Sequence, residues 1–550
     1  MTKISGSAVL ARALKRRGTN EIFFLMGGPM LEAENACIRE GIRMIDVRHE
    51  QAAALMAQAQ SRLLQKPGVC MAASGPGVIN LTTGLANALI DCSPVVAIGG
   101  SAPIRQIGRG TFQEIDQIEV MKGCVKWSER VYDPMRIPEH VNNAFQNAIN
   151  GKPGPVYLDL PHEVLNGLVE EEDVDWSACD RPLAIARSQA DPVRVQELVA
   201  ALRKAKRPLI LSGSGVIWSR AWDEMRQLVE KAGIPFFTTP QGRGVVPDDH
   251  DLSFLSMRSS AFKETDFILV LGTRMNYIIS QASAPRFNAD AVIARIDIDG
   301  TEISTAPRRV DIPLVGDCKA VLTQILAALG DKFTPHYYQE WCKKLSDGAA
   351  AKADRARLEP QSAEAEIHPR QLCEAINGMA ARDAILAVDG QDILNFGRQT
   401  MPTFMPGHRL NSGPFGMMGV GLPFALGAKI ACPDKQVICV HGDGSFGLNA
   451  MELDTAVRHN IPILVVISLN GGWTGDPKKQ KPGRDLGYTR FDLMAEALGC
   501  YGVYVEKLED LQGALVKAQR EVDKGRVAVV NVRTDFRAQA ETFNFASYVT

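Results

Sequence analysis

The chain has 550 residues, of which 45% are hydrophobic and 23% charged, and its net charge is −2. That length exceeds one hydrophobic core and implies roughly two to four domains, while the near-neutral balance excludes a general affinity for nucleic acid or anionic membrane. Eleven scattered cysteines without a Cys-x-x-Cys pair, a first stretch with no basic region leading into a long apolar segment, and no run near the length of a membrane span give a soluble, cytoplasmic protein as the expectation.

Apolar, strand-like runs fall into three groups along the chain. The first holds Ile22–Met26, Met44–Val47, Val69–Ala73, Pro94–Ile98 and Pro155–Leu160. An acidic, loop-like stretch, Val169 to Trp176, breaks the pattern before Pro208–Leu211, Ile234–Thr238, Phe267–Leu271 and Val292–Ile298. A polar, alanine- and charge-rich segment from about Lys343 to Glu366 reads as the next linker. The last group holds Ile385–Val388, Val437–Val440, Ile463–Leu469 and Val527–Val532. Strands alternating with helical lengths predict α/β architecture: three doubly wound parallel-sheet domains at 1–168, 190–342 and 367–550.

Several segments carry chemistry. Val47-Arg48-His49-Glu50 follows a strand and enters a helix of good formers. Glu50 is ordinarily an N-terminal acid favoured by the helix dipole, but small apolar neighbours would bury it and leave it able to hand over a proton. Ser74-Gly75-Pro76-Gly77-Val78-Ile79-Asn80 is a strand-to-helix turn. In the middle group, Gly213-Ser214-Gly215, Leu271-Gly272-Thr273-Arg274 and Ile296-Asp297-Ile298-Asp299 allow a nucleotide-binding reading, but loop geometry is the better explanation of two glycines in a turn. In the last group, Ala387-Val388-Asp389-Gly390-Gln391-Asp392 ends a strand, and Gly416-Met417-Met418-Gly419 is a glycine-rich loop with methionine as gap filler.

One pair of loops in the last group is the most informative. His441-Gly442-Asp443-Gly444-Ser445 follows an apolar strand, and Asn470-Gly471-Gly472 follows the next one, 27 positions beyond Asp443. The order strand, loop, helix (about 449 to 460), strand, loop places both loops at one carboxyl edge if the strands are neighbours. Asp443, Asn470 and a nearby carbonyl are hard oxygen donors suited to Mg²⁺ or Ca²⁺, and the glycines let backbone N–H groups approach a phosphate.

This paired arrangement resembles the signature of the thiamine diphosphate enzymes, Gly-Asp-Gly followed at this spacing by Asn. The resemblance implies that Asp443, Asn470 and the Gly472 carbonyl hold Mg²⁺ on the cofactor's diphosphate, with Leu469 standing where many members have a first Asn. It extends to Arg-His-Glu-x-x-Ala, where Glu50 would bond the aminopyrimidine N1′ and promote the reactive tautomer. It extends also to Ser74, Gly75, Pro76 and Asn80 beside the pyrimidine, and to Phe112-Gln113-Glu114, whose Gln113 would contact the reacting carbonyl. Gly390, Gln391 and Asp392 would lie by the diphosphate, an acid there being a departure, together with Gly442, Gly444 and Ser445. Met418 would force the bent cofactor and the Gly416 carbonyl would accept from its amino group. The first and third domains would bind pyrimidine and diphosphate; related enzymes hold FAD, ADP or nothing in the central one. FAD is not expected, and ADP stays open. In the family the glutamate and the metal site come from different subunits, which implies at least a homodimer, more often a tetramer.

Substrate choice rests on the residues after the metal loop. The Gln-Trp-Gln element of acetolactate synthases is absent, and Trp473 to Arg484, Gly487 to Phe491 and Thr238 to Gly244 resemble bacterial 2-hydroxyacyl-CoA lyases. Oxalyl-CoA decarboxylases carry Tyr-Glu where this chain has Gln113-Glu114. The resemblance implies cleavage of a 2-hydroxyacyl-CoA to formyl-CoA and an aldehyde or ketone. A 2-keto-acid carboligase, an oxalyl-CoA decarboxylase or a non-catalytic paralogue stand as alternatives. The cluster Lys478, Lys479, Lys481 and Arg484 reads equally as a solvated face or as a site for coenzyme A phosphates. The aromatic tail, Phe543 to Tyr548, reads as a lid over the substrate.

Overall fold

The computed structural model describes residues 2–330, 333, 335–358, 366–473, 475–476, 478 and 480–540; Lys479 and the aromatic tail lie outside them. The chain builds three parallel α/β sheets. In the first, the strands run in the order Arg43–Asp46, Glu21–Leu25, Gly68–Ala72, Val95–Ser101, Val156–Pro161, Trp127–Arg130, all parallel. Five strands of the third sheet repeat that order: Ile385–Asp389, Val437–Gly442, Leu464–Leu469, Ala528–Arg533, Tyr501–Val505. The Gly68–Ala72, Val95–Ser101 and Leu464–Leu469 strands are buried along their whole length, as continuous apolar runs in a two-sided parallel sheet require.

The described residues divide into two compact units, the outer two sheets in one and the middle of the chain in the other. The outer sheets are joined by helix packing. Glu50–Leu64 lies between Pro76–Ile90 and Gly421–Ala431, and Ala52, Leu55 and Met56 share one core with Leu422, Phe424 and Leu426. The approach is too close for larger residues: a Cβ at Gly427 would sit 2.4 Å from the Met56 carbonyl oxygen, and one at Gly84 2.7 Å from the Ala54 Cβ. Each fully buried Leu, Met or Phe contributes on the order of 1.5–3 kcal/mol here.

The middle unit is a five-stranded parallel sheet ordered Phe236–Thr238, Pro208–Ser212, Phe267–Leu271, Val292–Asp297, Ile312–Val315. Its last helix corrects the linker expected from Lys343 onward. Gln339–Leu358 is helical, and Trp341 Nε1 donates to the Pro208 carbonyl at 3.1 Å and Tyr338 to that of Leu202 at 2.6 Å. Alanine, lysine and arginine are good helix formers, so a polar alanine-rich composition describes a surface helix as well as a linker. The acidic stretch is likewise not all loop, since Leu168–Glu170 pairs antiparallel with Lys3–Ser5. The unanticipated strands Trp127–Arg130 and Tyr501–Val505 close their sheets, half-buried; the first is mostly polar, and the second is a Val- and Tyr-rich run interrupted by glycine. Among the described residues, no helix is long and apolar enough to cross a membrane.

Candidate active site

The strand Val437–Gly442 pairs with Ile385–Asp389 on one side and Leu464–Leu469 on the other, with Asp389 opposite His441 and Gly442 opposite Ser468. This adjacency brings the turns at Gly390, Asp443 and Asn470 to one carboxyl edge, where open parallel sheets bind ligands. Asp443 is the first residue of the helix Asp443–Asn449 and is 3% exposed. Its Oδ1 accepts the Gly444 N–H at 2.8 Å, and its Oδ2 those of Gly471 and Gly472 at 2.7 and 3.0 Å. Burial pushes the carboxyl up to about 6 against the pull of these three donors. The Asn470 Oδ1 accepts the Gly472 N–H at 3.1 Å.

A cleft of about 370 Å³, partly open to solvent, lies over these turns. Asp443, Asn470 and Gly472 line one side, with Gly442, Gly444 and Ser445 beside them. Gly390, Gln391, Asp392 and Met418 complete the lining with Ile393, Ser468 and Trp473. Close backbone approach is built in, because a Cβ at Gly444 would lie 2.6 Å from the Trp473 ring. The donors present are a carboxylate, an amide oxygen and a carbonyl, with no cluster of three His, Cys, Asp or Glu side chains among the described residues. Such a set is too small to enclose a cation and fits Mg²⁺ whose remaining positions are filled by water and diphosphate oxygens.

Four expected residues have surroundings that bear on the roles expected of them. Asp392 lines the cleft, but its Oδ2 accepts the Gly475 N–H at 2.9 Å, so the acid anchors the following loop. Gly416 is not in the cleft lining and adopts φ +71°. Arg484 is 5% exposed and does not form an open phosphate patch: its guanidinium donates to the carbonyls of Gly471 at 2.6 Å and Asn470 at 2.9 Å. The buried cation beside two carbonyls holds the Asn470–Gly472 turn together. Lys481 donates to the Gly475 carbonyl at 2.7 Å, and both it and Lys478 are exposed.

The first domain assembles a second constellation. Glu50 is the first residue of its helix, 7% exposed, with the Asn80 Nδ2 donating to its Oε2 at 2.9 Å. Ser74 donates to the Gln113 Oε1 at 2.8 Å, Gly75 caps the helix that Pro76 begins, and Gln113 is held at φ +58°. A Cβ on Gly75 would meet the Gln113 carbonyl oxygen at 2.6 Å, so the turn requires glycine. Glu50, Ser74, Gly75, Pro76, Asn80 and Gln113 therefore come together, but none lines the third-domain cleft of the same chain.

Three segments of the chain match models of thiamine pyrophosphate enzymes: the N-terminal TPP binding domain over residues 4–120, the central domain over 195–325 and the C-terminal TPP binding domain over 394–532. The chain is 34% identical to the 2-hydroxyacyl-CoA lyase of Arabidopsis thaliana, covering 98% of this chain and 97% of that protein. It is 32% identical to mouse 2-hydroxyacyl-CoA lyase 1 (99% and 96%) and 32% identical to an acetolactate synthase large subunit of Mycobacterium tuberculosis (96% and 95%). The chain belongs to the thiamine pyrophosphate enzymes.

In this thiamine pyrophosphate enzyme some residues at the site escaped the sequence reading. Asp389, pushed up to about 6 by burial, accepts the N–H groups of Gly390 and Gly421 at 2.7 and 3.1 Å and fixes the turn beside the cleft. Gln117 accepts the Gly75 N–H at 2.6 Å and donates to Tyr157, Asp159 and the Gly100 carbonyl, holding the Ser74 turn from below. An acid ending a buried strand was the available signal for Asp389. Gln117, three residues past a recognised motif, offered none.

Proposed function

We propose that this enzyme is a 2-hydroxyacyl-CoA lyase that cleaves the C1–C2 bond to give formyl-CoA and an aldehyde or ketone, and ligates them in reverse. The observation that carries the reading is the full-length similarity to 2-hydroxyacyl-CoA lyases together with a metal-type oxygen set at the cleft. Bound thiamine diphosphate supplies an electron sink for the carbonyl carbon when that bond breaks. Asp443, Asn470 and the Gly472 carbonyl hold Mg²⁺; Gly390, Gln391, Gly442, Gly444 and Ser445 receive the diphosphate, with Asp392 anchoring the adjoining loop. Met418 would pack against the bound cofactor, and the Gly416 carbonyl would accept a hydrogen bond from its amino group. Ser74, Gly75, Pro76 and Asn80 frame the pyrimidine, Glu50 carries the proton shared with its N1′, and Gln113 orients the substrate carbonyl. Overall, the 2-hydroxyl becomes a carbonyl and the hydrogen it loses is made up on the formyl carbon.

On this reading residues 1–168 bind pyrimidine, 190–342 form the central domain, open to ADP, and 367–550 bind diphosphate. The separation of Glu50 from the cleft supports a homodimer or tetramer in which a neighbouring chain completes each site. Lys478 and Lys479 remain the cations for coenzyme A phosphates. The purified protein is tested with thiamine diphosphate, Mg²⁺ and either a 2-hydroxyacyl-CoA or pyruvate. Formyl-CoA from the first is the expected product; acetolactate from pyruvate alone sinks the lyase reading.

A further inference from the structure

We infer that Glu452 and Asn449 are positioning residues that fix Glu50 by tying residues 46–51 to the Met418 loop of the same chain. Glu452, 1% exposed, begins the helix Glu452–Arg458; its Oε1 accepts the Arg48 N–H at 3.0 Å and its Oε2 the Thr455 hydroxyl at 2.7 Å. Asn449 donates from Nδ2 to the Gly419 carbonyl at 2.7 Å and to the Gln51 Oε1 at 3.2 Å. Just upstream, His459 Nε2 lies 2.7 Å from the Asp46 Oδ1 and Arg458 donates to the Asp46 carbonyl at 3.0 Å. Thus the strand end, the turn and the first helical residues around Glu50 are each held from residues 449–459.

The second end of the tie is equally specific. Gly419 follows Met418, and a Cβ there would come within 3.0 Å of the Asn449 Nδ2, so the amide reaches that carbonyl only because the residue is glycine. Asn449 closes the helix that Asp443 opens. One short segment therefore continues the helix that begins at Asp443 and is bonded to the Met418 loop and to the turn presenting Glu50. Packing alone would be served by apolar side chains, which leave no orientation fixed; a buried acceptor on a backbone N–H sets the direction of the first helical turn. The inference rests on the cofactor reading above, and with a neighbour completing each site it links the diphosphate half of one site to the glutamate half of the next.

The test compares Glu452→Ala, Glu452→Gln and Asn449→Ala in the full chain by two readouts. Exchange of the cofactor C2 proton in D₂O reads Glu50, and the tryptophan fluorescence response to thiamine diphosphate with Mg²⁺, in which Trp473 takes part, reads the cleft. Each alanine variant is expected to slow exchange about tenfold, the worth of roughly one lost buried hydrogen bond, with cofactor affinity within about threefold. Glu452→Gln, which keeps an acceptor oxygen, should restore most of the rate. Unchanged exchange in both alanine variants overturns the inference, as does a parallel loss of exchange and affinity that glutamine does not rescue. An unsubstituted protein with no fluorescence response overturns the cofactor reading itself, and this inference with it.

Discussion

The first and third sheets place a buried acid at the same kind of position and give it different surroundings. Glu50 and Asp443 each open a helix at the carboxyl edge of a parallel sheet, and five strands of each sheet run in the same order. Asp443 is gripped by three backbone N–H groups from two turns. Glu50 has one side-chain donor, Asn80, and otherwise small apolar neighbours, with its Oε1 3.3 Å from the place a Cβ on Gly77 would occupy. Three backbone donors from two turns fix the direction of the Asp443 carboxylate, which suits a rigid ligand, whereas Glu50 is oriented by a single side-chain amide. The fold supplies the place, and the second turn supplies the role.

The most severe way to break the contrast is Asp443→Ala. It removes the only carboxylate among the three proposed metal donors and strands the N–H groups of Gly471 and Gly472. Turnover should fall by about 10³-fold or more, and the Mg²⁺-dependent fluorescence response should disappear, because binding itself is lost. A variant that still binds cofactor tightly with Mg²⁺ would remove Asp443 from the metal. Glu50→Gln is the counterpart on the other sheet. It should cut turnover by about 10²–10⁴-fold while the fluorescence titration stays near that of the unsubstituted protein. Near-normal turnover would remove Glu50 from the chemistry.

The two halves were not equally legible. Asp443, Gly444, Asn470 and Gly472 sit in turns whose residue types state their own reason, oxygen donors and glycines between apolar strands, and the strand adjacency that joins them follows from crossover geometry. Glu50 alone reads as an ordinary helix N-terminal acid; only the partner motif gives it a role. Arg484 left two readings open because composition shows a charge and not its direction, and the chain turns that guanidinium onto two carbonyls. The helix Gln339–Leu358 was misread because alanine with scattered charge fits a linker and a surface helix alike. Glu452 and Asn449 could not be seen at all, since their partners at 48–51 lie about 400 positions away.

Glu452 sharpens the comparison through pH. Burial pushes its carboxyl up to about 7, against donors at Thr455, Arg48 and His49. A folded value above the unfolded one, about 4.5, favours the neutral acid, so its stabilising contribution is complete below about pH 4.5 and lost as pH rises through about 7. Between pH 5 and 8 the unsubstituted protein should lose about 2–3 kcal/mol relative to Glu452→Gln. Urea melts of both proteins at the two pH values check this; parallel stabilities would mean that the acid is ionised in the fold.

The smallest expected effect separates the two roles considered for Arg484. A lysine there keeps the charge but not the fork that reaches the Gly471 and Asn470 carbonyls together. If the guanidinium braces the metal loop, Arg484→Lys leaves one buried carbonyl without its donor, at about 1–1.5 kcal/mol, and weakens the cofactor–Mg²⁺ response about tenfold. The KM for the coenzyme A thioester should then move less than about twofold once cofactor is saturating, because no phosphate contact has been removed. A raised KM with unaltered cofactor affinity would reverse the assignment and return Arg484 to the coenzyme A phosphates. The distinction matters beyond one residue. A brace that must be planar and bidentate ties the Asn470–Gly472 turn to residues after Trp473, so the segment on which substrate choice was read also holds the proposed metal donors in place.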